Sequence, residues 1–311
     1  MIRVTFLGTA AARPTPGRNV SGLAVQREGE VVLFDCGEGT QRQMMRYATG
    51  FSVSAIFITH VHADHFLGVT GLLRTMGLQG RTEPLAIYGP ARSGRILERA
   101  VHLGLERVPF EVTVQEVEPG ERIPREGWGI EAFAVTPGVR AVGYALREED
   151  RLGRFDVELA RALGVPEGPD FGRLHRGETV EAHDGRMITP AEVVGPPRAG
   201  RTVAYTGDTR PTSSVIAAAE GADLLIHDAT FLAEDAERAR DTGHSTASEA
   251  AGIALEAGVS RLALTHISAR YSELAHLLDA EARAVFPASV VAYDGLCIEI
   301  PYRGDTGAND A

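Results

Sequence analysis

The stretch Ile58-Thr59-His60-Val61-His62-Ala63-Asp64-His65 decides how this chain is read. It continues an apolar run over 55–59 and sets three histidines and an aspartate within six residues. Imidazole and carboxylate are what a borderline-soft ion such as zinc prefers, and few other needs concentrate them so tightly. In an extended segment side chains at i and i+2 share a face, so His60 and His62 point the same way. Asp64 and His65 follow in an expected turn, where they can serve a second ion or orient a water. The bland alternative, a solvated loop that happens to be His-rich, fits poorly between an apolar strand and an expected helix.

Farther along, the same logic repeats: an apolar strand, then a polar residue at its carboxyl end. The run 202–206 leads to Gly207-Asp208-Thr209-Arg210, the run 224–227 to Asp228-Ala229-Thr230, and the run 261–265 to His266. Ligands of α/β sheets gather at that edge. Asp208 could bridge two ions and His266 could bind one. Singly, each reads as well as a turn residue, a helix cap or a merely hydrogen-bonded histidine. Joined to the cluster, they have the composition of a two-metal hydrolase site. Asp228 and His244 form a further possible pair, an acid orienting an imidazole that protonates a leaving oxygen. His244, in Gly243-His244-Ser245-Thr246, reads equally as a helix-start residue. Cys36, after another apolar run, reads as a small buried residue.

The surrounding pattern is α/β. Further strands are expected over 2–7, 22–26, 31–35, 85–88, 111–117, 130–135 and 290–292, from runs of Val, Ile, Leu and Phe. Helices are expected over 39–47, 69–76, 94–103, 157–163, 213–220, 246–257 and 272–285. Strands dominate each half, so two sheets sandwiched between helices is the natural architecture. The chain is expected to form a single domain over 1–311. Residues 147–197, charged and punctuated by Gly and Pro, stand out as an inserted arm. The polar tail 303–311 is expected to be disordered.

Composition narrows the partners. The 311 residues are 44% hydrophobic, enough for a sizeable core, yet no apolar run is long enough to span a bilayer. The start lacks a signal peptide's charged and apolar regions, and two distant cysteines indicate no disulfide framework. The expectation is a soluble, cytoplasmic protein without a membrane partner. A formal charge of −11 argues against nucleic-acid binding, which normally needs a positive surface. Metal ions bound by several of the acids would offset part of that charge.

With these residues in view, the chain resembles the ribonuclease Z family of the metallo-β-lactamase superfamily across nearly its whole length. The resemblance is carried by Phe6-Leu7-Gly8-Thr9, Arg18-Asn19-Val20, Phe34-Asp35-Cys36-Gly37-Glu38-Gly39-Thr40-Gln41, the His60 to His65 cluster and Gly207-Asp208-Thr209-Arg210. More specific are His227-Asp228-Ala229-Thr230-Phe231 and Leu264-Thr265-His266-Ile267-Ser268-Ala269-Arg270-Tyr271. It implies an αββα sandwich with an inserted exosite arm, and a zinc-dependent endoribonuclease that cuts precursor tRNA at its 3′ side. The products would be a tRNA 3′-hydroxyl and a 5′-phosphorylated trailer.

The resemblance also assigns roles. His60 and His62 would bind a first zinc, Asp64 and His65 a second, with Asp208 bridging and His266 completing the second site; manganese is an alternative metal. Asp64 would be the general base for a metal-activated water. Asp228, where the family usually has Glu, and His244 would carry the proton to the leaving oxygen. Where the family has another first-zinc His, this chain has Pro137, which implies a weakened first site or a substitute such as His102 or His183. The arm, 147–197, would grip tRNA through Arg151, Arg154, Arg161, Arg173 and Arg176, though interleaved acids fit an ordinary solvated hairpin as well. Arg270 is a further substrate-binding candidate, and the resemblance implies a homodimer. Two rivals remain: a small-molecule phosphodiesterase or arylsulfatase-like hydrolase of the same fold, and a non-catalytic RNA-binding relative with a degraded metal site.

Overall fold

The computed structural model describes residues 1–104, 107–136 and 140–302. Pro137 and the tail 303–311 lie outside the described residues. Backbone packing divides the chain into two compact units, Met1–Arg147 with Thr202–Tyr302, and the intervening Glu148–Arg201.

The first unit holds two seven-stranded sheets. One runs in the order Cys297–Ile300, Ile2–Gly8, Gly22–Arg27, Glu30–Cys36, Val53–Phe57, Leu85–Pro90 and Val112–Val117. The other runs Ser289–Val291, Leu262–Thr265, Leu224–Asp228, Thr202–Tyr205, Val142–Glu148, Trp128–Ala134 and Arg122–Arg125. The strand Glu30–Cys36 shows why the layers form. Val32 and Phe34 face the second sheet, where Phe34 stacks on Tyr144 and Tyr205 at 5.9 and 6.0 Å. Val31 and Leu33 point the other way, into helices Thr40–Arg46 and Gly68–Leu78. Both faces are covered, so the strand reads as an unbroken apolar run. On the far side Ser213–Ala219, Ala247–Glu256 and Ala275–Val285 cover the second sheet through small side chains such as Ala250, Ala254 and Ala282. The result is the expected helix–sheet–sheet–helix sandwich.

Parallel pairing brings the functional edges together. Glu30–Cys36 runs parallel to Val53–Phe57, and Leu224–Asp228 lies parallel to both Thr202–Tyr205 and Leu262–Thr265. The carboxyl ends of these strands therefore open on one edge. Close backbone approach fixes the cluster there. A Cβ on Gly37 would lie 2.3 Å from the Asp64 carbonyl oxygen, and one on Gly68 would lie 2.0 Å from that of Gly37.

Some elements differ from the expectations. The run 55–59 is a strand only over Val53–Phe57, because pairing with Glu30–Cys36 ends at Phe57. Asp64 and His65 sit in a short helix, Ala63–Phe66, rather than a turn. The helix expected from 272 begins at Ala275, after a 3-10 turn over Ala269–Tyr271 capped by Ser268. Strands not foreseen include Val142–Glu148, which carries Gly143 and Ala145 and lies inside the second sheet, and the small hairpin of Val180–Glu181 with Met187–Ile188. Arg122–Arg125 and Cys297–Ile300, also not foreseen, lie at sheet edges and are four residues each, too short for a clear alternation.

The second unit, Glu148–Arg201, overlaps the charged, Gly- and Pro-punctuated stretch 147–197. It contains helices Val157–Ala162, Pro169–His175 and Pro190–Val193 and a small hairpin of Val180–Glu181 with Met187–Ile188. Ala160, Val165, Leu174, Val180, Ile188 and Val193 give it an apolar core of its own. Its two ends are clasped by a buried ion pair, Arg201 Nε and Nη2 donating at 2.7 Å each to the Glu148 carboxylate. Removing one partner of such a pair strands a charge in low dielectric. Glu148→Leu is expected to lower stability by about 3–5 kcal/mol, measured by urea unfolding.

Candidate metal centre

The histidine cluster begins where the strand Val53–Phe57 lets go of its neighbour. Thr59 N–H donates to Asp35 Oδ1 at 2.8 Å, which turns the chain so that His60 and His62 project from an extended loop. His60 Nε2 and His62 Nδ1 face each other at 2.9 Å. Buried His60 Nε2 also lies 3.5 Å from Asp208 Oδ2, whereas His62 is exposed. From the helix Ala63–Phe66, His65 points inward, with Nε2 3.3 Å from Asp208 Oδ1 and 3.5 Å from Asp64 Oδ2. His266, at the end of Leu262–Thr265 and in a left-handed conformation (φ 60°), closes the cleft. Its Nε2 lies 3.2 Å from Asp208 Oδ1 and 3.3 Å from Asp64 Oδ2.

Ligand atoms of His60, His65 and Asp208 fall within 4.8 Å of one another, as do those of Asp64, His65 and His266. Asp208, Asp228, His244 and His266 form a third such group. The donor set fits a divalent ion. His65 Nε2 and Asp208 Oδ1 are both buried and without a hydrogen-bond partner, although only 3.3 Å apart. Two such atoms in native structure call for an ion or a water. Charge agrees: burial works against a charged His65, yet Asp208 and Asp35 on either side hold its pKa well above the usual value. The site demands positive charge, which a metal supplies. Burial pushes His60 down to about 4, the neutral form that a ligand needs. Asp64 is held below the usual carboxylate range: burial opposes ionisation, but the close approach of His266 and the other nearby imidazoles outweighs it. The backbone N–H of Ala12 also donates to Asp64 Oδ2, at 2.7 Å.

The acid–imidazole pair forms beside this cleft. His244 Nδ1 lies 2.8 Å from Asp228 Oδ2, so this Asp reaches the imidazole directly. Burial would lower the His244 pKa, but the charge and hydrogen bond of Asp228 raise it to about 9. His244 is therefore more than a helix-start residue. The helix start itself is capped by Thr246 and Glu249, while Arg210 pairs with Glu249 and donates to the His244 carbonyl at 2.6 Å.

Other candidates fall elsewhere. His102 and His183 are exposed and join none of the three groups. Arg270 lies 3.6 Å from Asp235. In the second unit Arg161 pairs with Glu158 and Glu167, Arg173 with Asp170 and Glu178, and Arg176 approaches Glu178 at 3.8 Å. Arg151 and Arg154 lie in or beside the bridge that joins Arg151 to Arg198. Burial raises the Cys36 thiol to about 12, which fits an inert core residue. Sequence reasoning missed a functional role for Asp35. Fully buried, its carboxylate accepts from His65 Nδ1 and the Tyr205 hydroxyl at 2.7 Å each, as well as from Thr59. Its place at the carboxyl end of an apolar strand, like that of Asp228, was the available signal.

A family model described as the metallo-beta-lactamase superfamily matches residues 15–266. The chain is 52% identical over 304 residues to a ribonuclease Z of Myxococcus xanthus, covering 97% of this chain and 99% of that protein. It is 56% identical over 299 residues to a ribonuclease Z of Gemmatimonas aurantiaca, covering 96% and 95%. Among solved structures, the short form of human tRNase Z superposes with a TM-score of 0.70 at 28% identity, over 96% of this chain and 99% of that one. Fold and site thus define a metal-binding hydrolase scaffold of the metallo-β-lactamase type. Within that superfamily, the chain belongs to the ribonuclease Z family.

Because Asp35 holds His65 Nδ1 at 2.7 Å, its loss should weaken binding of a metal by His65. Asp35→Asn is expected to weaken metal binding about 10–100-fold, read by chelator competition on the folded variant.

Proposed function

We propose that this chain is a metal-dependent endoribonuclease that trims the 3′ side of precursor tRNA, leaving a 3′-hydroxyl on the tRNA and a 5′-phosphate on the trailer. The observation that carries this reading is a His/Asp metal cleft set directly beside the Asp228–His244 pair, in a chain of this family.

His60, His62 and Asp208 would hold one ion, and Asp64, His65 and His266, with Asp208 shared, the other. Zinc suits this nitrogen and carboxylate set, and manganese is the nearest competitor. With Pro137 where the resemblance implies a further histidine, the first ion would be held by fewer side chains and more weakly. When bound, the ions supply Lewis acidity toward the phosphate oxygens and acidify a water for attack. The remaining work belongs to side chains. Asp64 Oδ2 is turned toward His65 and His266 and engaged by Ala12, which leaves Oδ1 to accept the proton of the attacking water. Asp228 holds His244 through Nδ1, so His244 Nε2–H is the proton delivered to the departing 3′ oxygen.

Unit Glu148–Arg201 serves as the tRNA grip, with Arg151, Arg154, Arg173 and Arg176 toward phosphates. The ion pairs of Arg173 and Arg176 are exposed and of the kind that exchanges readily. A homodimer fits the exposed apolar side chains Met45, Leu67 and Leu78 on the outer helical layer. No helix of the described residues is long and apolar enough to cross a membrane, and the cytoplasm is where such a substrate is met.

Asp64→Ala and Asp208→Ala are each expected to abolish cleavage of a 3′-extended tRNA precursor. His244→Ala should retain its metal yet slow cleavage about 10²–10⁴-fold. Near-normal cleavage by either aspartate variant would sink the mechanism. Changing Arg151, Arg154, Arg173 and Arg176 together to Ala should raise KM for precursor tRNA and leave hydrolysis of a small chromogenic diester unchanged. Equal effects on both substrates would point to a small-molecule hydrolase instead.

A further inference from the structure

Two threonines stand in the same relation to the two histidines that close the metal cleft from opposite sheets. Thr59 follows the strand Val53–Phe57 and gives both its backbone N–H, at 2.8 Å, and its hydroxyl, at 3.0 Å, to the Asp35 carboxylate. The same hydroxyl lies 3.1 Å from His60 Nδ1. Thr230 follows the strand Leu224–Asp228 and repeats the arrangement. Its N–H and hydroxyl donate to Asp228 Oδ1 at 2.9 and 2.7 Å, and the hydroxyl lies 2.9 Å from His266 Nδ1. All four of these threonine and histidine side chains are buried.

The hydrogen count settles the direction of each bond. A hydroxyl carries one hydrogen, and an ionised carboxylate can only accept. Each threonine therefore donates to its carboxylate and accepts from its histidine. That requires a proton of His60 and of His266 to sit on Nδ1, which in the neutral, metal-binding ring leaves the lone pair on Nε2. Nε2 is in both cases the atom turned to the cleft, 3.5 Å from Asp208 Oδ2 for His60 and 3.2 Å from Asp208 Oδ1 for His266. His65 needs no such relay, since Asp35 takes its Nδ1–H directly at 2.7 Å.

We propose that Thr59 and Thr230 are positioning residues, one on each side of the cleft, whose hydroxyls fix His60 and His266 as Nδ1–H tautomers and thereby present Nε2 to the metal. This rests on the metal-centre reading given above. The two relays differ in one respect. Asp35 spends its other contacts on a second metal-facing histidine, His65, and on Tyr205, whereas Asp228 also holds His244. Thr230 thus ties a metal-facing histidine and the leaving-group acid to a single carboxylate, so that the two are oriented as one body. Valine in place of either threonine keeps the shape but leaves the Nδ1–H without an acceptor. The imidazole is then free to carry its proton on Nε2, and must lose or move it before binding an ion.

The test uses the full chain, with zinc as the probe and a chromogenic chelator as competitor. Thr59→Val and Thr230→Val are each expected to weaken one zinc-binding step about 10–100-fold, while Thr59→Ser and Thr230→Ser, which keep the hydroxyl, stay close to the wild type. In addition, ¹⁵N NMR of the metal-free wild type should report His60 and His266 protonated on Nδ1. Valine variants that bind zinc as tightly as the wild type, or a wild-type spectrum with these protons on Nε2, overturn the assignment. Should a valine variant fail to fold, the wild-type spectrum decides alone. Wild-type protein that takes up no zinc or manganese overturns the metal reading itself, a separate failure from that of the threonines.

Discussion

A carboxylate withdrawn from water survives as a charge only where hydrogen-bond donors replace its hydration, and Asp35 is withdrawn completely. Its donors come from different parts of the first unit: Thr59 from the loop after Val53–Phe57, His65 from the helix Ala63–Phe66, and Tyr205 from the second sheet. One buried group thus joins the two sheets and the helix that carries the metal cluster. Loss of any donor would leave charge under-solvated, so the geometry of the cleft is tied to the stability of the sandwich. That coupling explains how a site made largely of loop ends can be held rigidly. Asp35 itself adopts φ 55°, an uncommon conformation for a non-glycine residue, which this network holds in place.

The second sheet contributes through the same device at its own carboxyl edge. Asp228 ends a parallel strand, as Asp35 nearly ends one, and receives donors from Thr209, Thr230 and His244. Asp208 differs from both. It follows its strand after Gly207, which sits at φ 59° with no room for a Cβ against Thr59, and its Oδ1 receives no donor at all. Three aspartates in near-equivalent positions therefore divide into two that are saturated by protein and one that is not. The unsaturated one faces the histidines. Residue type cannot make that distinction; only the inventory of donors does.

This division also marks where the sequence could be read and where it could not. The cluster from His60 to His65 was legible because its residues are adjacent, and the parallel strands because their apolar runs are covered on both faces. Asp208 and His266 were legible as strand-end residues once the cluster was known. The role of Asp35 was not, since a carboxylate that holds a ligand and one that caps a turn look alike until their donors are placed. Arg210 escaped for a related reason: it acts on the His244 backbone and on Glu249, contacts that no local pattern encodes. Short edge strands such as Arg122–Arg125 carry too few alternating positions to announce themselves.

Net charge misleads when it is taken as a surface property. Asp35 and Asp228 are wholly buried, and Asp64 and Asp208 turn into the cleft, so part of the −11 never faces a polyanionic substrate. Within Glu148–Arg201 eleven acids outnumber eight arginines, and Arg161 and Arg173 are offset by neighbouring acids. Those pairs lie at the surface, where water screens both partners and the cost of exchanging a carboxylate for a phosphate is small. The buried Glu148–Arg201 pair is of the opposite kind, since charges withdrawn from water are costly to separate. One small unit thus combines a fixed clasp at its ends with exchangeable charges along its length.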